Sequence, residues 1–186
     1  RTMNDHTPIP LCDLKAQYLT IKDDVDAARA RVVESCAVLK GPEVKAFERD
    51  YAEVHGLPEG GAVGRSNGTS ALTIALKGLN LPQGSEVILP SHTFFATDES
   101  VVLAGGVPVF ADIKASDYTI DPAQVEALIT KKTAAIVPVH IYGNMADLDA
   151  LSALATKHNL LLIEDSAQAH FATWNGKKAG VTGDAG

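Results

Sequence analysis

From Ala62 to Ile163 the chain alternates short apolar runs with helix-forming stretches, and this rhythm constrains the fold more than any other feature. The apolar runs are Ala62–Gly64, Glu86–Leu89, Val107–Ala111, Ala134–Val139 and Leu160–Ile163. Between them the spacing predicts helices over Thr69–Leu79, Phe95–Ala104 and Met145–His158, and one starting at Pro122 with Asp121 as its cap. The runs are continuously apolar rather than alternating, which suits strands buried on both faces. Strand–helix–strand units close by right-handed crossovers, so the strands lie parallel with helices above and below. The expectation is an α/β fold of three layers, αβα, on a mainly parallel sheet. After Asp165 the pattern changes to a hairpin with Asn175-Gly176 as its turn.

The first third of the chain reads differently. Leu14, Tyr18, Ile21 and Val25 fall at helical spacing, Gly41-Pro42 interrupts the pattern, and Val44, Phe47 and Tyr51 resume it until Gly56. We therefore divide the chain into a helical segment, 1–56, and a sheet-bearing part, 57–186. A length of 186 residues is that of one domain, or one domain and a piece of another. It is enough for a core without disulfide or metal staples. Cys12 and Cys36 make neither a disulfide framework nor a zinc site, and read as ordinary thiols in a reducing cytoplasm.

Charge and hydropathy exclude several partners. The net charge of −7 argues against a general nucleic-acid or anionic-membrane surface, while leaving room for a local cationic pocket. The longest nearly uncharged stretch, Ser100–Ile113, is too short and too broken by Gly105, Gly106 and Pro108 to span a bilayer. The first residues lack the apolar core of a signal peptide. The sequon Asn67-Gly68-Thr69 then reads as chance.

In open parallel sheets, ligands bind beyond the carboxyl ends of the strands. Five groups of polar or aromatic residues fall there: Ser66-Asn67-Gly68-Thr69, Ser91-His92-Thr93-Phe94, Asp112, His140 and Glu164-Asp165. Ser66–Ser70 is a small-residue turn entering a helix. The first helical amides lack internal partners and carry partial positive charge, which makes a phosphate cradle with Gly68 and Thr69 at its centre. An N-capped helix with nothing bound fits the same residues. An acid leaving a buried strand, as Glu164-Asp165 does, must pair with something. That partner is an Arg, a Lys or a helix end if the role is structural, and a fixed cation if it is functional. Gln168 stands close enough to add a hydrogen bond. No second acid or histidine lies at a metal-ligand spacing, so a protonated heterocycle is favoured over a metal. Phe94 and Phe95 follow a strand, where one ring can pack inward while the other serves as a stacking platform. Phosphate cradle, aromatic platform and buried carboxylate together describe a flat phosphorylated heterocycle with a basic ring nitrogen. Pyridoxal phosphate is such a molecule.

A rival reading comes from Gly64-Arg65-Ser66-Asn67-Gly68, which matches the G-x-S-x-G nucleophile elbow of α/β serine hydrolases, with Ser66 as nucleophile. An elbow needs strands and an oxyanion loop ahead of it. The helical segment before residue 56 leaves no room for them.

At this level of detail the sequence resembles the DegT/DnrJ/EryC1/StrS sugar aminotransferases. The likeness runs in order through Asp13–Tyr18, Gly41–Val44, Ser66–Thr69, Pro90–Thr97, Pro138–Gly143 and Glu164–His170. It implies the large-domain fold of type I pyridoxal-phosphate aminotransferases, present in part, and a homodimer in the cytoplasm. It implies transfer of an amino group, usually from glutamate, to a nucleotide-linked keto-sugar. Gly68 and Thr69 would hold the cofactor phosphate, Phe94 would stack on the ring, Asp165 would pair with the ring nitrogen, and Gln168 would bond the ring hydroxyl.

The family's Schiff-base lysine, preceded by a serine, follows a Gly-Asp-Ala-Gly motif, which here is Gly183–Gly186. Lys177 and Lys178 precede that motif and are expected to be surface charges. These 186 residues are therefore expected to be inactive alone. A histidine in the lysine's place would mark the relatives that dehydrate sugars with the amine form of the cofactor. Cys36, Val38 and Phe171 depart from the family pattern.

Overall fold

The structure is a computed structural model and describes residues 10–186; the first nine residues of the expected helical segment lie outside it. Two helices lead: α1, Leu14–Ser35, and α2, Pro42–Val54. They are separated where Cys36 turns left-handed at φ 52° and Pro42 takes the first position of α2. Then come α3 (Gly68–Gly78), β1 (Glu86–Pro90), α4 (Ala96–Leu103), β2 (Val107–Ala111), α5 (Pro122–Leu128), β3 (Thr133–Ile136), α6 (Leu148–His158) and β4 (Leu161–Leu162). Strands β1 to β4 form one parallel sheet in the order β2-β1-β3-β4. The chain closes with the antiparallel hairpin β5 (Thr173–Trp174) and β6 (Lys177–Lys178).

Pleating splits the core into two faces. Ile88 and Ile136 join Val125, Leu148 and Leu151, from α5 and α6, on one side. Val87, Leu89 and Ala135 join Leu76 of α3 and Val101 of α4 on the other. Each face of β1 is thus covered, which is why its sequence is uniformly apolar rather than alternating. The expected three-layer αβα architecture is present.

Local differences from expectation have physical causes. Ala62–Gly64 forms no strand: Gly64 N donates to Glu48 Oε1 (2.7 Å), and Val63 stays exposed. Three residues among glycines bury too little to join a sheet. The Ala134–Val139 run ends its ladder at Ile136, one residue past which Val137 N still donates to Ile88 O (2.7 Å). Pro138 has no N–H to continue it. Helix α6 starts at Leu148 rather than Met145, because Asp147 caps it by accepting from Ala150 N (3.0 Å). The hairpin turn is as expected, with Asn175 at φ 49° and Gly176 at φ 81°. Cys12 and Cys36 are free and exposed. Among the described residues no helix is long and apolar enough to cross a membrane.

Candidate active site

The carboxyl ends of the strands open on a cleft of about 710 Å³. Gly68, Thr69, Phe94, Asp165 and Gln168 all line it, together with Tyr51 from α2. The five residues that the family resemblance assigns to the cofactor therefore share one cavity, whereas Ser91, His92, Asp112 and His140, also expected at the strand ends, do not line it.

At the start of α3, Asn67 is the extended cap residue. Its Oδ1 accepts from Ser70 N (2.8 Å), and its carbonyl accepts from Ala71 N (3.0 Å). The amides of Gly68 and Thr69 are left without an acceptor among the described residues. A Cβ on Gly68 would meet nothing within 4 Å, so the space above these amides is open. Free N–H groups at a helix start, facing room, suit an anion.

Asp165 continues the line of β4. Its N–H donates to Pro138 O (2.9 Å) and its carbonyl accepts from His140 N (3.1 Å), so the backbone is fixed on both sides. The residue is only 7% exposed. Its Oδ2 accepts from Thr97 Oγ1 (2.8 Å) and its Oδ1 from Ala167 N (3.2 Å). Among the described residues no Lys, Arg or His forms an ion pair with it. The protein thus leaves a buried carboxylate facing a cleft with hydroxyl and amide donors but no cation.

Glu164 takes the structural alternative. Its Oε2 accepts from His140 Nε2 (2.9 Å) and Gly180 N (2.9 Å), and its Oε1 from Thr182 N (2.7 Å) and Gly183 N (2.8 Å). Ala146 N donates to His140 Nδ1 (3.1 Å), so the imidazole proton belongs on Nε2, where it is given to Glu164. Burial pushes the Glu164 carboxyl up, but His140 and the three amides outweigh it and hold the group below its ordinary value. Adjacent acids therefore do opposite jobs: Glu164 ties down the segment Gly180–Gly183, and Asp165 is left for a ligand.

Gln168 Oε1 accepts from Tyr142 N (2.8 Å), which leaves its NH2 group as a donor. Phe94 is 72% exposed and presents its ring to the cleft. Phe95 is also exposed rather than packed inward, and caps α4 outside the cleft lining. Lys178 Nζ bonds Val54 O and lies over the Phe171 ring; neither Lys177 nor Lys178 lines the cleft. Among the described residues no group of acids, histidines and cysteines could hold a metal. Ser66 Oγ donates to Ser70 Oγ (3.1 Å), not to an imidazole, and among the described residues no strand precedes it. The hydrolase reading has neither its base nor its elbow here.

Two features escaped the sequence reading. Thr97, in the first turn of α4 and four residues past Thr93, which lies ahead of the helix, reaches Asp165. Tyr51 OH lies 3.0 Å from His170 Nδ1 across 119 residues, and its hydroxyl is pushed up by burial. Nothing local in the sequence marks that pairing.

A four-stranded parallel sheet covered by helices on both faces is the large-domain architecture of type I aminotransferases. The chain belongs to the DegT/DnrJ/EryC1/StrS aminotransferase family, whose sequence profile matches residues 20–186. A dTDP-3-amino-3,4,6-trideoxy-alpha-D-glucose transaminase of Streptomyces venezuelae is 44% identical over 93% of this chain and 45% of its own length. The crystal structure of S. venezuelae DesV in complex with a ketimine intermediate matches with a TM-score of 0.88 at 44% identity, covering 92% of this chain and 46% of that one. NtdA of Bacillus subtilis, solved with bound cofactor PMP, matches with a TM-score of 0.74 at 33% identity, covering 85% and 37%. The chain spans about half the length of the curated relatives it matches.

Proposed function

We propose that these residues form the cofactor-binding part of a pyridoxal-phosphate-dependent aminotransferase acting on a nucleotide-linked keto-sugar, with an amino acid, glutamate, as donor. The observation that carries this reading is Asp165, a buried acid on the cleft that forms no ion pair with a Lys, Arg or His among the described residues. A protonated pyridine nitrogen supplies the missing charge.

The other residues fit the same molecule. The free amides of Gly68 and Thr69 suit its phosphate, the open space at Gly68 admits it, and the Phe94 ring suits its flat face. The free NH2 of Gln168 suits the ring oxygen. When bound, the cofactor supplies an electron sink for labile bonds at the carbon bearing the amine. The chain's part is to hold the ring, keep its nitrogen facing an anion and anchor the phosphate. A lysine beyond Gly186 is proposed to move the proton, so these 186 residues alone are proposed not to transaminate. We also propose a homodimer.

The test adds L-glutamate to the pyridoxal-phosphate-loaded intact protein and follows loss of the visible absorbance as the amine form appears. Conversion in the wild type and its loss in Asp165→Asn are expected. A wild type that binds the cofactor yet leaves glutamate untouched contradicts the donor. An Asp165→Asn variant converting at the wild-type rate contradicts the site.

A further inference from the structure

Asp165 is held by a relay of two hydroxyls. Thr97 lies in the first turn of α4 and is 1% exposed. Its Oγ1 stands 2.8 Å from Asp165 Oδ2 and 2.9 Å from Thr93 Oγ1. A helical threonine ordinarily bonds a carbonyl one turn back. Ser100 does so in this helix, donating to Thr97 O (2.8 Å), whereas Thr97 sends its hydroxyl to a residue 68 positions away.

The direction of the relay follows from proton counting. An ionised carboxylate only accepts, so the single Thr97 proton goes to Asp165. The contact between the threonines must then carry the Thr93 proton. Both donors point toward the acid, and each polarises the next. Oδ2 takes the short bond of the relay. Oδ1 keeps one long bond, 3.2 Å from Ala167 N, and so retains the capacity to accept another donor.

We propose that Thr97, supported by Thr93, is a positioning residue that fixes the rotation of the Asp165 carboxylate and presents Oδ1 to the ring nitrogen of the cofactor. This rests on the aminotransferase reading of the cleft. Without the relay the carboxylate is free to turn, and the N–H···O contact that keeps the ring nitrogen protonated is held only part of the time.

The test uses pyridoxamine phosphate labelled with 15N in the ring, which needs no covalent bond to the protein. Binding and the ring 15N resonance are measured in the intact wild type and in Thr97→Val, Thr97→Ser, Thr93→Val and Asp165→Asn. Thr97→Val is expected to bind about tenfold more weakly, the scale of one hydrogen bond to a charged group. Its 15N resonance should move toward that of neutral pyridine. Thr97→Ser should restore both values. Thr93→Val should shift both in the direction of Thr97→Val by a smaller amount, and it carries the test if Thr97→Val does not fold. Wild-type affinity and 15N position in the valine variants, with Asp165→Asn impaired, overturn the relay while leaving the site intact. Wild-type behaviour in Asp165→Asn as well overturns the reading of the cleft.

Discussion

At the scale of single residues, the decisive contrast is between Glu164 and Asp165, neighbours with opposite partners. Glu164 is fully engaged by His140 and three backbone amides, and its carboxyl lies below the ordinary value of 4.5. A depressed folded value means stability that is present in full above about pH 4.5 and lost as pH falls through the lower folded value. Glu164→Gln cannot accept from all four donors and is expected to lose roughly 3 kcal/mol at neutral pH. Urea unfolding should show that gap narrowing as the pH drops below 4.5; a gap constant with pH would contradict it. The acid pair was legible in the sequence as a buried charge in need of a partner. Periodicity alone did not separate the two acids, because that depends on the pleat of β4 and on amides at 180–183; the family resemblance pointed to Asp165. Thr97 and Tyr51 were hidden for a similar reason: their partners lie 68 and 119 residues away.

Elements place these residues, and α3 shows how. Asn67 caps the helix with its own side chain and so leaves the next two amides free for an anion. Gly68 sits at this turn without a positive φ, and nothing within 4 Å would oppose a methyl group there. Gly68→Ala should therefore leave fold stability unchanged or raise it by roughly 0.5 kcal/mol. It should weaken pyridoxamine phosphate binding about tenfold, because the methyl group enters the phosphate's space. Thermal unfolding and a binding titration on one preparation separate the two effects, and unaltered affinity would remove Gly68 from the cradle. Most elements were legible from periodicity. The run Ala62–Gly64 was not a strand because its backbone found Glu48 instead of a neighbouring strand. Strand ends at Ile136 and the start of α6 were set by Pro138 and by the Asp147 cap, local chemistry that hydrophobic pattern alone does not weigh.

On the scale of the whole molecule, α1 stands out: over 22 residues it has no buried residue, while Leu14, Leu19 and Ile21 are exposed on it. A helix of this kind needs cover. A second copy is the cover we propose, and sedimentation of the intact protein should give twice the chain mass; a monomer at micromolar concentration would contradict the homodimer. We propose that one cleft at the carboxyl edge of the sheet binds a phosphorylated pyridine through Gly68, Thr69, Phe94, Gln168 and Asp165. The most direct measurement is a crystal structure of the intact protein grown with pyridoxamine phosphate. The phosphate is expected on the amides of Gly68 and Thr69, the ring on Phe94, and the ring nitrogen about 3 Å from Asp165 Oδ1. A cofactor bound elsewhere, or an Asp165 carboxylate paired with a protein cation and turned from the ring, would contradict it.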